Sequence, residues 1–409
     1  MTVVDRTIAT GFRDQMLNTD FGSTGWVLKD YIIDVYPNLV PGVKTPALWL
    51  WGENASGKLG DNTITTRLSP VQTVTGGNNW KQVAGGNNHT AAIKTDGTLW
   101  TWGSNSTGQL GDNTITTRSS PVQTVTGGTN WKQAACGTFF NAAVKTDGTL
   151  WTWGRNVAGQ LGDNTGANRS SPVQTIAGGT NWSQVACGYT HTAAIKTDGT
   201  LWTWGSNANG RLGDNTTFDR SSPVQTITGG TNWSQVACGY RHTAAVKTDG
   251  TLWLWGHGSN GKLGDGTSVD RSSPVQTITG GTNWSQVAGG YNHTGAVKTD
   301  GTLWLWGSNA FGILGDNTGT GKISPVQTIA RGTTWKQVEC MKWGLTTAAT
   351  AAVKTDGTLW TWGRNSSGQL GDNTVTTRSS PVQTIMRGTT WKQVSCGAAY
   401  TAAIADGNY

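Results

Sequence analysis

Four histidines recur in one pattern: His89, His191, His242 and His293 each open a His-Thr pair. Matched imidazoles raise metal binding or proton transfer as options. A metal, however, needs its donors within about 2 Å of one centre, and each of these histidines sits in its own copy of a repeat. A structural hydrogen-bonding role is the expectation, with Phe140 and Tyr400 filling the same slot elsewhere. The five cysteines, Cys136, Cys187, Cys238, Cys340 and Cys396, also share one slot, where Gly85 and Gly289 stand in other copies. An odd count at long spacing argues against a disulfide framework. They read as reduced residues in a small, crowded place near the axis of the fold.

Seven aspartates lie six residues before a cation: Asp61, Asp112, Asp163, Asp214, Asp265, Asp316 and Asp372 precede Arg67, Arg118, Arg169, Arg220, Arg271, Lys322 and Arg378. An acid–base pair is rarely built seven times over, so an ion pair or loop cap is expected. The stretch Gly256–Gly261 fits G-x-G-x-x-G, but no helical pattern follows to receive a phosphate. No unique nucleophile, base and acid converge in the sequence. The expectation is no enzyme, no cofactor and no metal, with a small-molecule ligand disfavoured.

These residues belong to a repeat. Leu-Trp-x-Trp-Gly begins at Leu48, Leu99, Leu150, Leu201, Leu252, Leu303 and Leu359, spaced by 51 residues five times and 56 once. The long interval carries an insertion around Met341–Thr350. Within the second unit, short apolar runs at Leu99–Trp102, Pro121–Val125, Trp131–Ala135 and Ala142–Lys145 read as strands. Thr146–Thr149 places Asp-Gly between two such runs, a hairpin signal that expects positive φ at both turn residues. Four antiparallel strands per unit, seven times over, predict an all-β, seven-bladed β-propeller of four-stranded blades. The last unit ends at Ala402–Gly407 without its final strand, and the first begins at Leu48. Pairing the C-terminal strand with Leu48–Gly52 would close the ring and remove both open edges.

The 23 tryptophans come three per unit, plus Trp26 and Trp343. Alternation puts Trp100 and Trp102 on one side of their strand, and packing between blades is expected rather than stacking on sugars or bases.

The pattern W-G-x-N-x-x-G-Q-L-G followed by V-A-C-G-x-x-H-T resembles the repeat of the regulator of chromosome condensation family. The resemblance covers all seven units, about 360 residues, and implies the same end-to-end closure. It further implies a regulatory option, since some members are nucleotide-exchange factors for small GTPases and some similar bacterial propellers inhibit enzymes. Exchange activity in the family resides in non-repeat loops or wedges, for which Met341–Thr350 is the candidate here.

Net charge is +7 and is spread over the copies rather than gathered into a stripe, which argues against nucleic acid as the partner. No stretch is long enough to cross a bilayer, and Met1–Arg6 shows no secretory signal. The units differ most between the V-A-C-G and H-T-A-A-V runs, where Asn88, Phe139, Phe140, Tyr189, Tyr240, Arg241, Tyr291, Trp343 and Tyr400 are expected on one face. Trp, Tyr and Arg are hot-spot types, so this face is the candidate surface for a protein partner.

Residues 1–47 stand apart as a docking segment, with Trp26, Tyr31, Ile32, Ile33 and Tyr36 as candidate anchors and residues 48–409 as the propeller. Regular repeats behind a short leader look similar to phage structural proteins. The leading expectation is therefore a non-enzymatic binding or structural module anchored to a larger assembly, plausibly a virion; the alternative is a cytoplasmic regulator.

Overall fold

A computed structural model describes residues 45–74, 79–344 and 347–407. The leader residues Trp26, Tyr31, Ile32, Ile33 and Tyr36 lie outside the described residues. Among those described, the strands form seven four-stranded antiparallel sheets, and no helix is long and apolar enough to cross a membrane.

Each blade straddles the sequence repeat. Blade one takes Trp80–Gly85 as its inner strand, then His89–Lys94, Leu99–Gly103 and, outermost, Arg118–Gln123. The same order recurs in the next five blades. The seventh is built from both ends of the repeat array, with Trp391–Cys396 and Tyr400–Asp406 followed by Pro46–Gly52 and Arg67–Gln72. Its closing ladder runs unbroken from Pro46 opposite Asp406 to Gly52 opposite Tyr400. The expected closure is thus present, and the array is a ring.

Composition explains the radial order. The second strand, His89–Lys94, is buried along nearly its whole length and carries Thr-Ala-Ala, small enough for neighbouring blades to approach both of its sides. The outer strand is half-exposed and holds a proline, Pro121 in blade one, which blocks the addition of a further strand to the open edge. This strand starts at Arg118, three residues before the expected Pro121, because Arg118 pairs with Gly103 beyond a bulge.

Two of the three tryptophans are buried in each of the first six blades, and all three (Trp49, Trp51 and Trp391) in the seventh. Trp80 and Trp102 are 1% and 0% exposed, and their rings meet edge to face at 6.1 Å. Together with Leu48, Leu50 and Ile404 of blade seven they fill one seam. Trp100 departs from the expectation of full burial: it is half-buried, with Lys94 Nζ 4.7 Å above its ring.

The Asp-Gly turns also differ from expectation. Gly97 has φ +80° while Asp96 has no positive φ, and Gly97 N donates to Lys94 O as Lys94 N donates to Thr98 O. The loop is therefore the three-residue form, in which only the last position needs the left-handed region. Asp96 instead accepts hydrogen bonds from Thr98 N and Oγ1.

Seams between blades carry a hydrogen-bond belt that the apolar pattern does not announce. Gln82 Nε2 donates to Ala134 O and its Oε1 accepts from Ala134 N, both at 2.8 Å. Equivalent glutamines join successive inner strands around the ring, ending with Gln393, which accepts from Val83 N and donates to Val83 O. A second latch lies further out: Lys58 O accepts from both Thr90 Oγ1 and Trp102 Nε1 of the next blade.

Candidate functional site

In an antiparallel blade, the turn between the first and second strands and the loop between the third and fourth emerge on the same side. The variable turns therefore share one face with the long Gly-x-Leu-Gly-Asp loops. The Asp–cation pairs organise those loops, at 2.7 to 3.2 Å for the arginines and 3.8 Å for Lys322–Asp316. Partial burial pushes the Asp61 carboxyl up, but hydrogen bonds from Thr63 and Arg67 outweigh it and hold the group below its usual range. The following Asn62 sits at φ +60°, a region asparagine tolerates and most residues avoid.

The histidine slot lies inside the seams. His89 Nε2 hydrogen-bonds Asn141 Oδ1 at 2.9 Å, and His191, His242 and His293 reach threonine hydroxyls of the next blade at 3.0 to 3.2 Å. All four rings are 0% exposed. Burial pulls His89 down to about 4 and His293 to about 3, so they are neutral at physiological pH. The cysteines are buried and free, on the inner strands as expected, and burial pushes the Cys136 and Cys238 thiols up to about 12. Neither set has the exposed, activated character of a catalytic group. Gly256–Gly261 itself contains a three-residue 3-10 turn, Ser259–Gly261, and no α-helix follows it. Among the described residues no three His, Cys, Asp or Glu side chains converge as a metal site.

Of the residues expected on the variable face, the structure brings three into one array. Tyr189, Tyr240 and Tyr291, from successive blades, are half-buried and stack with centroid distances of 4.2 and 4.3 Å. Burial and the Tyr189 phenol raise Tyr240 to about 12. Arg241 is exposed, its guanidinium 5.2 Å from the Tyr240 ring. Phe139 is half-buried near Arg155, and Asn88 accepts from Lys58 Nζ at 3.0 Å.

Three expected face residues are corrected. Phe140 and Tyr400 are 0% exposed and Trp343 is 2% exposed. Phe140 and Tyr400 fill the histidine slot, which holds the small Ala349 in another blade, and their rings pack close to the preceding turn: a Cβ on Gly137 would lie 2.1 Å from the Phe140 ring. Tyr400 Oη donates to His89 O across the closing seam. The segment with Trp343 turns inward, with Met341 also buried, and Lys342 Nζ reaches Cys187 O at 3.5 Å, three blades away. Met341, Lys342 and Trp343 thus lie toward the inner opening instead of projecting from the face.

The sequence reading missed a set of cations under the same face. The residue before Leu in Gly-x-Leu-Gly-Asp is Gln109, Gln160 or Gln369 in three copies, but Lys58, Arg211 or Lys262 in three others. These cations are 1%, 3% and 0% exposed. Lys58 pairs with Glu53. Lys262 Nζ lies 2.8 Å from Asn292 Oδ1 and 3.0 Å from His257 Nδ1. Burial pulls Lys262 down to about 8 and, joined by repulsion from Arg241, Arg211 to about 10. In-register comparison of the copies was the signal that marks this slot.

Comparison with known proteins agrees with this architecture. The RCC1-like domain family matches residues 165–409, and the regulator of chromosome condensation (RCC1) repeat matches residues 47–93 and 96–144. The ultraviolet-B receptor UVR8 of Arabidopsis thaliana is 35% identical over 339 residues, 81% of this chain and 76% of the receptor. Human WBSCR16 superposes with TM-score 0.76 at 22% identity, over 90% of this chain and all of that one. Yeast RCC1 (Prp20), in its structure bound to Kap60, gives TM-score 0.77 at 18% identity over 91% of this chain and 92% of that one. With its matched repeats arranged as seven closed blades, the chain belongs to the regulator of chromosome condensation (RCC1) repeat family.

Proposed function

We propose that this propeller is a regulatory binding module, not a catalyst, and that it engages a protein partner through the face bearing the variable turns. The observation that carries the reading is the stack of Tyr189, Tyr240 and Tyr291 beside the exposed Arg241. Aromatic area and a free guanidinium together are the chemistry of binding hot spots. Among the described residues the repeat tryptophans are packed into seams or covered by lysines, whereas these tyrosines keep part of their rings open to solvent.

The family relationship supports the regulatory alternative over the virion expectation. The relatives reported are cellular proteins: UVR8 is named as a receptor, and yeast RCC1 (Prp20) has been solved with Kap60 bound. A particle anchor would depend on the leader, which lies outside the described residues. The inward turn of Met341 and Trp343 counts against this segment as a projecting exchange wedge.

Replacing Tyr189, Tyr240 and Tyr291 together by alanine should abolish recovery of the partner from lysate of the source cell. The variant should retain a cooperative thermal transition. Undiminished recovery of the same partner by the folded variant would overturn the reading.

A further inference from the structure

The seven copies of the Gly-x-Leu-Gly-Asp loop show how a charge in its x slot is normally accommodated. The side chain approaches the turn of the next blade, thirty residues on. Lys58 meets the neutral Asn88 there and is neutralised by Glu53. Lys262 meets the neutral Asn292. At Arg211 the corresponding residue is Arg241, a second cation, and repulsion between the two is part of what lowers Arg211.

Arg211 is only partly offset, by attraction from Asp219. Its Nη2 donates to Asn209 Oδ1 at 3.0 Å, its buried Nε has no partner, and it makes no ion pair among the described residues. Asp219, which accepts from Asn207 N, attracts Arg211 without forming an ion pair, and Asp270, which accepts from Gly258 N and Asn209 Nδ2, does the same for Lys262. A buried charge without a directly paired counter-charge is costly, and its field emerges where the low-dielectric wall meets solvent. It emerges here beside the tyrosine stack, with Arg241 as the exposed contact.

From this arrangement we infer that Arg241, backed by the buried Arg211 and Lys262, is a carboxylate-binding site, and that the partner presents an acidic polypeptide segment to it. The inference rests on the proposed binding face and gives its partner a chemistry. Guanidinium and carboxylate match in a two-pronged fork, and the stacked phenols offer flat apolar area beside it. The cations occupy one sector flanked by Asp219 and Asp270, not the continuous track that a phosphate backbone needs.

A fluorescein-labelled glutamate-rich peptide, followed by anisotropy, tests the site, with a single-stranded oligonucleotide of equal charge in a parallel arm. The peptide should bind, and bind more weakly as salt rises. Arg241→Gln should weaken it about tenfold, and Arg211→Gln with Lys262→Gln severalfold, while Lys58→Gln leaves it unchanged because Glu53 neutralises that lysine. The glutamine variants restore the residue that Gln109, Gln160 and Gln369 carry in folded blades, and Arg241 is exposed, so Arg241→Gln alone decides if the double variant melts early. Failure to bind, equal binding by the variants, or preference for the oligonucleotide would overturn the inference. If the tyrosine triple variant loses the cellular partner while Arg241→Gln keeps it, the face stands and only the acidic chemistry falls. If both variants keep it, the face itself is wrong.

Discussion

The two faces of the ring follow different rules. On the face carrying the Thr-Asp-Gly-Thr turns, successive blades repeat the same contacts. Asp96, Asp147, Asp198, Asp249, Asp300 and Asp356 each cap the threonine two residues on. The preceding lysines lie over two tryptophans apiece, as Lys145 does at 4.7 Å from both Trp131 and Trp151. On the opposite face the corresponding turns read Asn87-Asn88, Tyr189-Thr190, Tyr240-Arg241 and Tyr291-Asn292. The turns of one face are held constant because their residues make the blade, while those of the other vary over the same scaffold. In a repeat protein, departure from the repeat separates residues that fold the chain from residues free to recognise something.

The largest break in that comparison comes from a seam residue. Trp102 is 0% exposed and donates from Nε1 to Lys58 O at 2.8 Å. Trp102→Ala should destabilise the ring by about 3–5 kcal/mol in denaturant unfolding, whereas Tyr240→Ala on the variable face should cost about 1 kcal/mol. Equal losses would show that the tyrosine stack is a structural plug. A smaller effect is expected from the glutamine belt. Gln133→Ala leaves the amide and carbonyl of Val185 without their partners across the seam, a loss of about 1–3 kcal/mol measurable as a lower urea midpoint. No change would mean that water replaces the belt and that apolar packing alone holds the blades.

Much of the fold could be read in the sequence, for a physical reason. A motif copied seven times fixes its own period, and the incomplete last copy shows which strands must pair to close it, as Pro46–Gly52 and Tyr400–Asp406 do. Turn geometry was less legible. Asp-Gly suits both two- and three-residue hairpins, and the hydrogen bonds of Asp96 to Thr98 choose between them. The site was legible only in part. Variation marked Tyr189, Tyr240, Tyr291 and Arg241, yet it also marked Phe140 and Tyr400, whose variation serves the seam. Arg211 and Lys262 escaped notice because a lone cation in a polar loop ordinarily points to water; their burial depends on the next blade, which one repeat read alone does not contain.

The histidine slot supplies the smallest effect at neutral pH and a larger one in acid. Burial holds His293 at about 3, well below the unfolded value of 6.5. Below pH 6.5 the unfolded chain therefore takes up a proton that the folded chain refuses until near pH 3. Stability falls as pH drops through this window, by about 2 kcal/mol at pH 5 for one such residue. His293→Phe removes the effect without a new mismatch. At the Phe140 seam the facing Thr192 still donates to Gln160 O, as Thr350 facing His293 donates to Ile313 O. Unfolding midpoints of the variant and the parent should agree closely at pH 7.5 and diverge at pH 5, with the variant the more stable. Parallel loss of stability in both proteins on acidification would show that this histidine is hydrated and titrates freely, so that its ring is not sealed inside the seam.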